Sequence, residues 1–177
     1  MGVTITKDKV ADIIRAVAQL ASKDVLVGVP DSNAERGDDQ PISNAAIGYI
    51  METGSPANNI PARPHLVPGI QDVQEEVAER LGKGAKAALS GSQAGADAAL
   101  NAAGLIGQRG VRAKITDGPF VPLAESTLRA RARRGRKGAA KELASRAAGN
   151  QADNANAKPL IDTGQYRQSI TYVIRKK

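Results

Sequence analysis

Residues 129–158 hold a single large apolar side chain, Leu143. A thirty-residue stretch so poor in apolar surface cannot offset the entropy of ordering itself. It therefore reads as an arm that adds nothing to a core on its own. The rest of the chain is only modestly richer. Leu, Ile, Val and Phe together number 37 of 177, while 31 of the residues counted as hydrophobic are Ala. A compact core is affordable over part of the chain, and self-association would bury more.

The same segment carries the charge. The net charge is +7. Arg129, Arg131, Arg133, Arg134, Arg136, Lys137, Lys141 and Arg146 stand against Glu142 alone, which is also +7. The remaining 17 basic and 17 acidic residues cancel. A neutral body with one basic arm has three readings. The arm contacts nucleic-acid phosphates, docks on an acidic protein, or is a solvated tether. No aromatic residue lies between Phe120 and Tyr166, so base stacking on the arm is not supported.

Several chemistries are excluded by residue type. There is no Cys, hence no disulfide, thiolate site or Cys nucleophile. One His, His65, excludes a His-rich zinc site within one chain. No apolar run approaches the length of a membrane span. The first residues lack the apolar core of a signal peptide, so the chain is expected to stay where it is made.

Periodicity then orders the chain. Residues 3–6 read as a short strand or lead-in. Residues 7–22 read as an amphipathic helix with apolar positions 10, 13, 14, 17, 20 and 21, capped by Thr6, with Asp8 in its first turn. Residues 24–29 are β-branched and end at Pro30, a buried strand. Residues 31–40 form a polar loop, and a helix spans about 42–53, stopped by Gly54. Four prolines in 55–68 require an extended, ordered loop. A helix runs from Gly69 through Leu81, with Asp72, Glu75, Glu76 and Glu79 on its other face. A break is expected near Ser90-Gly91, then a second helix to about Lys114. Each helical Gly costs about 1 kcal/mol relative to Ala, so these helices need close packing. Residues 115–122 are a turn-rich link, and 123–133 can be helical. A short helical turn precedes the strand 169–175, which can pair with 24–29.

The expected class is α+β: a small antiparallel or mixed sheet packed with amphipathic helices, a long Pro-rich loop and the basic arm. It is read as a single domain spanning 1–177, with the arm inserted before the C-terminal helical turn and strand.

No constellation assembles a reaction centre. Leu160-Ile161-Asp162-Thr163-Gly164 looks like an aspartic-protease signature, but that chemistry needs paired carboxylates and a β-rich fold after the motif. Only 13 residues follow Gly164. Asp162 and Thr163 are better read as helix caps. His65 lacks a signalled nucleophile and orienting acid. Asp38-Asp39 is weak evidence for a cation site. Gly107-Gln108-Arg109-Gly110 lacks the Lys-Ser/Thr of a phosphate loop. The acidic helix face is a solvated surface or a receiver for a neighbour's arm. No enzyme activity, metal or cofactor is expected.

Four segments matter in their order: Asn44-Ala45-Ala46-Ile47-Gly48-Tyr49-Ile50-Met51-Glu52-Thr53-Gly54; Ile60-Pro61-Ala62-Arg63-Pro64-His65-Leu66-Val67-Pro68-Gly69-Ile70; Pro122-Leu123-Ala124-Glu125-Ser126-Thr127-Leu128-Arg129; and Lys158-Pro159-Leu160-Ile161-Asp162-Thr163-Gly164-Gln165-Tyr166-Arg167-Gln168-Ser169-Ile170-Thr171-Tyr172. This arrangement resembles the virion-morphogenesis, or tail-completion, proteins of tailed bacteriophages, which include neck proteins at the head–tail junction. His65 stands where that pattern usually has an aromatic. The resemblance implies a non-enzymatic α+β subunit of the virion, made in the host cytoplasm. It implies a homo-oligomeric ring, most often hexameric, with twelve-fold as the alternative. Its partners would be the head–tail adaptor and the tail tube or terminator, with packaged DNA nearby. Arg63, Pro64, His65 and Leu66 are then expected as subunit or tube contacts. Arg129, Arg131, Arg133, Arg134 and Arg136 would meet an acidic partner or the DNA channel. Asp162 and Thr163 would be structural. The competing reading is a nucleic-acid-binding module using the arm.

Overall fold

The structure, a computed structural model, describes residues 10–30, 32 and 42–177. Among them are eight helices and two strands, in the order α1 (Val10–Ala21), β1 (Lys23–Gly28), α2 (Asn44–Thr53), α3 (Leu66–Gln71), α4 (Gln74–Leu89), α5 (Gln93–Asp117), α6 (Glu125–Arg133), α7 (Lys137–Ala147), α8 (Gln165–Ser169) and β2 (Thr171–Lys176). The class is α+β, as expected. The readings placed on residues 3–6, Thr6, Asp8 and Asp38-Asp39 lie outside the described residues. The chain divides into two compact units. One comprises the described residues up to Gly28, Ile70–Gly110 and Thr171–Lys177; the other comprises Val29–Gly69 and Val111–Ile170.

In the first unit, β1 and β2 pair antiparallel, with Val25 opposite Ile174 and Val27 opposite Tyr172. This is the pairing read from the two β-branched segments. The Lys177 N–H extends it to the Ser22 carbonyl at 2.8 Å. Helices α1, α4 and α5 meet at a small core of Ala16, Ala88 and Ala96, with Leu20 against it. The Gly and Ala content of α4 and α5 has a steric purpose. A Cβ at Gly84 would lie 2.8 Å from Ala99 Cβ, and one at Gly95 would lie 2.8 Å from Ala87 Cβ. The break expected near Ser90-Gly91 is present. Ser90 N–H reaches the carbonyls of Lys86 and Ala87, and Gly91 takes φ +76°. The Tyr172 ring lies against Gly104, and its hydroxyl donates to Asn101 Oδ1 at 3.1 Å.

In the second unit, α2 starts at the N-cap Ser43, whose hydroxyl accepts the Ala46 N–H at 3.1 Å. It ends at Gly54, whose φ of +77° and N–H bond to the Ile50 carbonyl make a left-handed stop. A Cβ there would fall 2.8 Å from the Ala62 nitrogen, so the returning loop needs glycine. The Pro-rich loop contains a 3-10 turn, Pro56–Asn58, and becomes helical already at Leu66 rather than at Gly69. Helix α5 continues past Lys114 to Asp117, because Ile115 is fully buried and rewards the extra turn.

The expectation for residues 129–158 is corrected. They fold as the second half of α6, a tight turn at Gly135 (φ +80°) and all of α7. Leu123, Leu128, Ala139 and Ala157 form a core, with Ala132 and Leu143 packed against it. Counting large apolar residues underrates this segment for two reasons. Alanine methyls complete a core when helices approach closely. Two of its charged residues, Arg131 and Glu142, are also buried with their hydrogen bonds made.

Candidate functional site

The first, second and fourth of the quoted segments meet in the second unit, around His65. Glu52, in the last turn of α2, presents its carboxylate to the start of α3. It accepts the N–H groups of His65 at 2.8 Å, Leu66 at 3.0 Å and Val67 at 3.3 Å. These are amides with no partner inside a helix beginning at Leu66. Burial pushes the Glu52 carboxyl up, but the three amide donors outweigh it and hold it below its ordinary value.

His65 is fully buried. Its Nδ1 lies 2.8 Å from the Arg63 carbonyl, which can only accept, so Nδ1 carries the proton. Its Nε2 then accepts the hydroxyl of Tyr166, from α8. The two rings meet edge to face, with centroids 5.5 Å apart. Burial pushes His65 below its ordinary value, against the opposing pull of the Arg63 carbonyl and Glu52. Burial, then Glu52, push the Tyr166 phenol well above its usual range. The Glu–His–Tyr row is therefore a brace. Both imidazole nitrogens are occupied, and the phenol is held protonated.

Arg63 ties the second segment to the residue just before the third. Its N–H bonds the Met51 carbonyl at 2.6 Å, and its Nε and Nη2 donate to the Val121 carbonyl at 3.3 and 3.2 Å. Arg131 ties the fourth segment to α6. Nη1 donates to Lys158 O and Ile161 O, and Nη2 to Pro159 O, each at 2.9 Å. These three carbonyls belong to the stretch that delivers Tyr166 to His65.

The residues expected to contact partners are thus divided. Arg63, His65 and Arg131 are buried and hydrogen-bonded within the chain, so none of them lies on the open surface. Pro64 is exposed and Leu66 half-buried. Arg129 is exposed but paired with Glu125. Arg134 and Arg136 converge on Asp162 at 2.9 and 3.0 Å. Arg133, Lys137 and Lys141 are exposed, with no carboxylate partner among the described residues.

Asp162 is not a helix cap; it accepts from both arginines and offsets one of their charges. The N-cap of α8 is Gly164, with φ +86°. Thr163 keeps part of the expected role, its hydroxyl accepting the Gln165 N–H at 3.3 Å. Two residues escaped the sequence reading. Glu52 had no local signal, because its amide partners lie 13 to 15 positions away. Glu142 had one: it is the lone acid in the basic run, four residues before Arg146. It is 1% exposed and accepts Arg146 Nε at 2.8 Å, Asn156 Nδ2 at 3.1 Å and the Asp153 N–H at 3.3 Å.

Among the described residues, no three His, Asp or Glu side chains group to hold a metal ion, and no helix is long and apolar enough to cross a membrane. Comparison with known proteins returns no matching family model, curated protein or solved structure.

Proposed function

We propose that the chain is a structural subunit of a tailed-phage virion, acting without catalysis as a ring at the head–tail joint. The ring serves as tail terminator or as the joint between adaptor and tube. The observation that carries this reading is that the first, second and fourth resemblance segments meet through Glu52, His65 and Tyr166, with Arg63 bonding Val121 just before the third and Arg131 of α6 bonding the fourth. Segments far apart in sequence share one buried hydrogen-bonded brace, which supports reading their order as that of one architecture. The surface also suits subunit burial. In the first unit Val10 and Ile14 of α1 are 60% and 64% exposed, one helical turn apart. In the second, Tyr49, Val67 and Val121 are exposed. Large outward apolar side chains on a lean core fit a subunit that completes its burial in an oligomer.

The test is negative-stain imaging and light scattering of the purified chain, with antibody labelling of virions. A closed ring, or label at the head–tail junction, is the expected result. A solution monomer together with unlabelled virions would sink the proposal.

The second reading, nucleic-acid binding by residues 129–146, is favoured most by Arg133, Lys137 and Lys141. Those three cations alone would give a slope of log K on log salt of about −2.7. Filter binding of duplex DNA across salt concentrations checks it. A triple change of these residues to Ala would abolish such binding if this reading is right.

A further inference from the structure

The brace leaves one charge without a counter-charge. Arg63 is 5% exposed, and among the described residues the only acceptor of its side chain is the neutral carbonyl of Val121. Among the described residues no carboxylate pairs with it, whereas Arg131, the other buried arginine, has Asp162 at 3.9 Å. Burial alone pulls the Arg63 guanidinium down, with nothing anionic to oppose it. An isolated buried cation is costly unless an anion and further hydrogen bonds compensate it.

Arg63 also lines a groove of about 360 Å³ within the second unit. The walls are mostly apolar and include Ile60, Pro61, Val121 and Leu123. Val121 is 57% exposed there. Nη1 of Arg63 has no partner among the described residues. The groove thus pairs an under-compensated guanidinium with apolar walls.

We propose that this groove binds an extended segment of a partner protein, with the carboxylate of an Asp or Glu on Arg63 and flanking apolar side chains against Ile60, Val121 and Leu123. The match is one of charge and surface together. A guanidinium binds a carboxylate with strong, charge-assisted hydrogen bonds. Apolar walls reward apolar neighbours of that carboxylate and exclude the water that would weaken the pair. A nucleic-acid backbone fits poorly, because its closely spaced charges call for a row of cations on an open surface. The proposal does not depend on the virion assignment; it concerns any partner with such a segment.

The test is an NMR titration of the full chain, following the Arg63 Nε–H and the methyl groups of Ile60, Val121 and Leu123. The probe is N-acetyl-Leu-Glu-Val-Pro-amide, with its Gln-for-Glu twin as control. The expected result is a saturable shift of these signals by the Glu peptide, with the Gln peptide weaker by roughly tenfold, as befits a charge-assisted hydrogen bond. Arg63 also holds the Val121 carbonyl, so the site is challenged at the exposed rim residue Thr127. Thr127→Glu places a competing carboxylate at the groove and is expected to weaken the Glu peptide; Thr127→Gln is expected to leave it unchanged. Equal shifts by the two peptides, no saturable shift of the groove signals, or equal binding by the two Thr127 variants would overturn the proposal. Tighter occupation of the same signals by a DNA duplex would overturn it as well.

Discussion

Glu52 accepts the backbone N–H of His65 at 2.8 Å across 13 positions of chain. With Leu66 and Val67 also bound, one carboxylate from the end of α2 does for α3 what a Ser or Asp at the N-cap does locally. Helix α3 has only six residues. So short a helix gains little from its own hydrogen bonds. Its position depends on this distant anion and on the imidazole beside it.

Acid is expected to loosen the second unit in two stages. His65 binds its proton less readily folded than at its ordinary 6.5, so below that value the unfolded chain takes up more protons and stability falls. Glu52 is also depressed, so its contribution is present above its ordinary 4.5 and is lost as pH falls towards the folded value. Neither group contributes a slope above about 1.4 kcal/mol per pH unit. Urea unfolding followed from about pH 8 down to about pH 4 checks this, with His65→Gln removing the upper stage. A flat profile between about pH 7 and pH 5 would refute the His65 part.

Two glycines of α4 should respond in opposite directions to the same change. Gly82 has open space at its Cβ position, so Gly82→Ala is expected to stabilise by about 1 kcal/mol through helix propensity. Gly84→Ala brings two methyl carbons to 2.8 Å and forces α4 and α5 apart at that point. Its packing cost, typically about 1–3 kcal/mol, should cancel or exceed the propensity gain. Thermal melts of the two variants decide it. Equal stabilisation would mean the helices are not in close contact.

The α6–α7 pair should depend on one buried acid. Glu142→Ala removes the acceptor of Arg146, Asn156 and the Asp153 amide and leaves a partly buried guanidinium uncompensated. The expected loss is about 3 kcal/mol or more, with faster amide exchange at Asp153. Glu125→Ala removes an exposed pair with Arg129 and should cost under about 1 kcal/mol. Similar losses in denaturant melts would refute this ranking.

Gly48 supports the brace through its lack of a side chain. A Cβ at this position would stand 2.9 Å from the Tyr166 hydroxyl and 3.2 Å from its ring. Gly48→Ala is expected to displace Tyr166 from His65 at a cost of about 1–3 kcal/mol. It should also let Tyr166 ionise nearer its ordinary 10, since burial raises it in the native protein. Ultraviolet titration of the three tyrosines reads this directly. An unchanged titration curve would rule out the displacement.

The alternation of Ile170, Tyr172 and Ile174 and the β-branched run Val25 to Val29 marked the two strands, and their partnership was legible as well. Helices α1 and α5 and the break at Ser90-Gly91 were also legible, since apolar spacing and glycine act within a few residues of chain; the helix read as running from Gly69 through Leu81 is instead broken at Asp72-Val73 into α3 and α4. What composition obscured was α7. A run with one large apolar residue looked unable to pack until Leu123, Ala139 and Ala157 met around Leu128.

Charge divides in the same way. The sequence alone determined that the excess of +7 lies in residues 129–146. The fold alone sets Arg131 against three carbonyls, holds Arg134 and Arg136 on Asp162, and leaves Arg63 at a groove with no carboxylate partner among the described residues. Periodicity and charge density are properties of chain neighbours and can be read one residue after another. The state of a charged side chain depends on which acceptor the fold brings within about 3 Å, and for these arginines the acceptors lie 26 to 58 positions away.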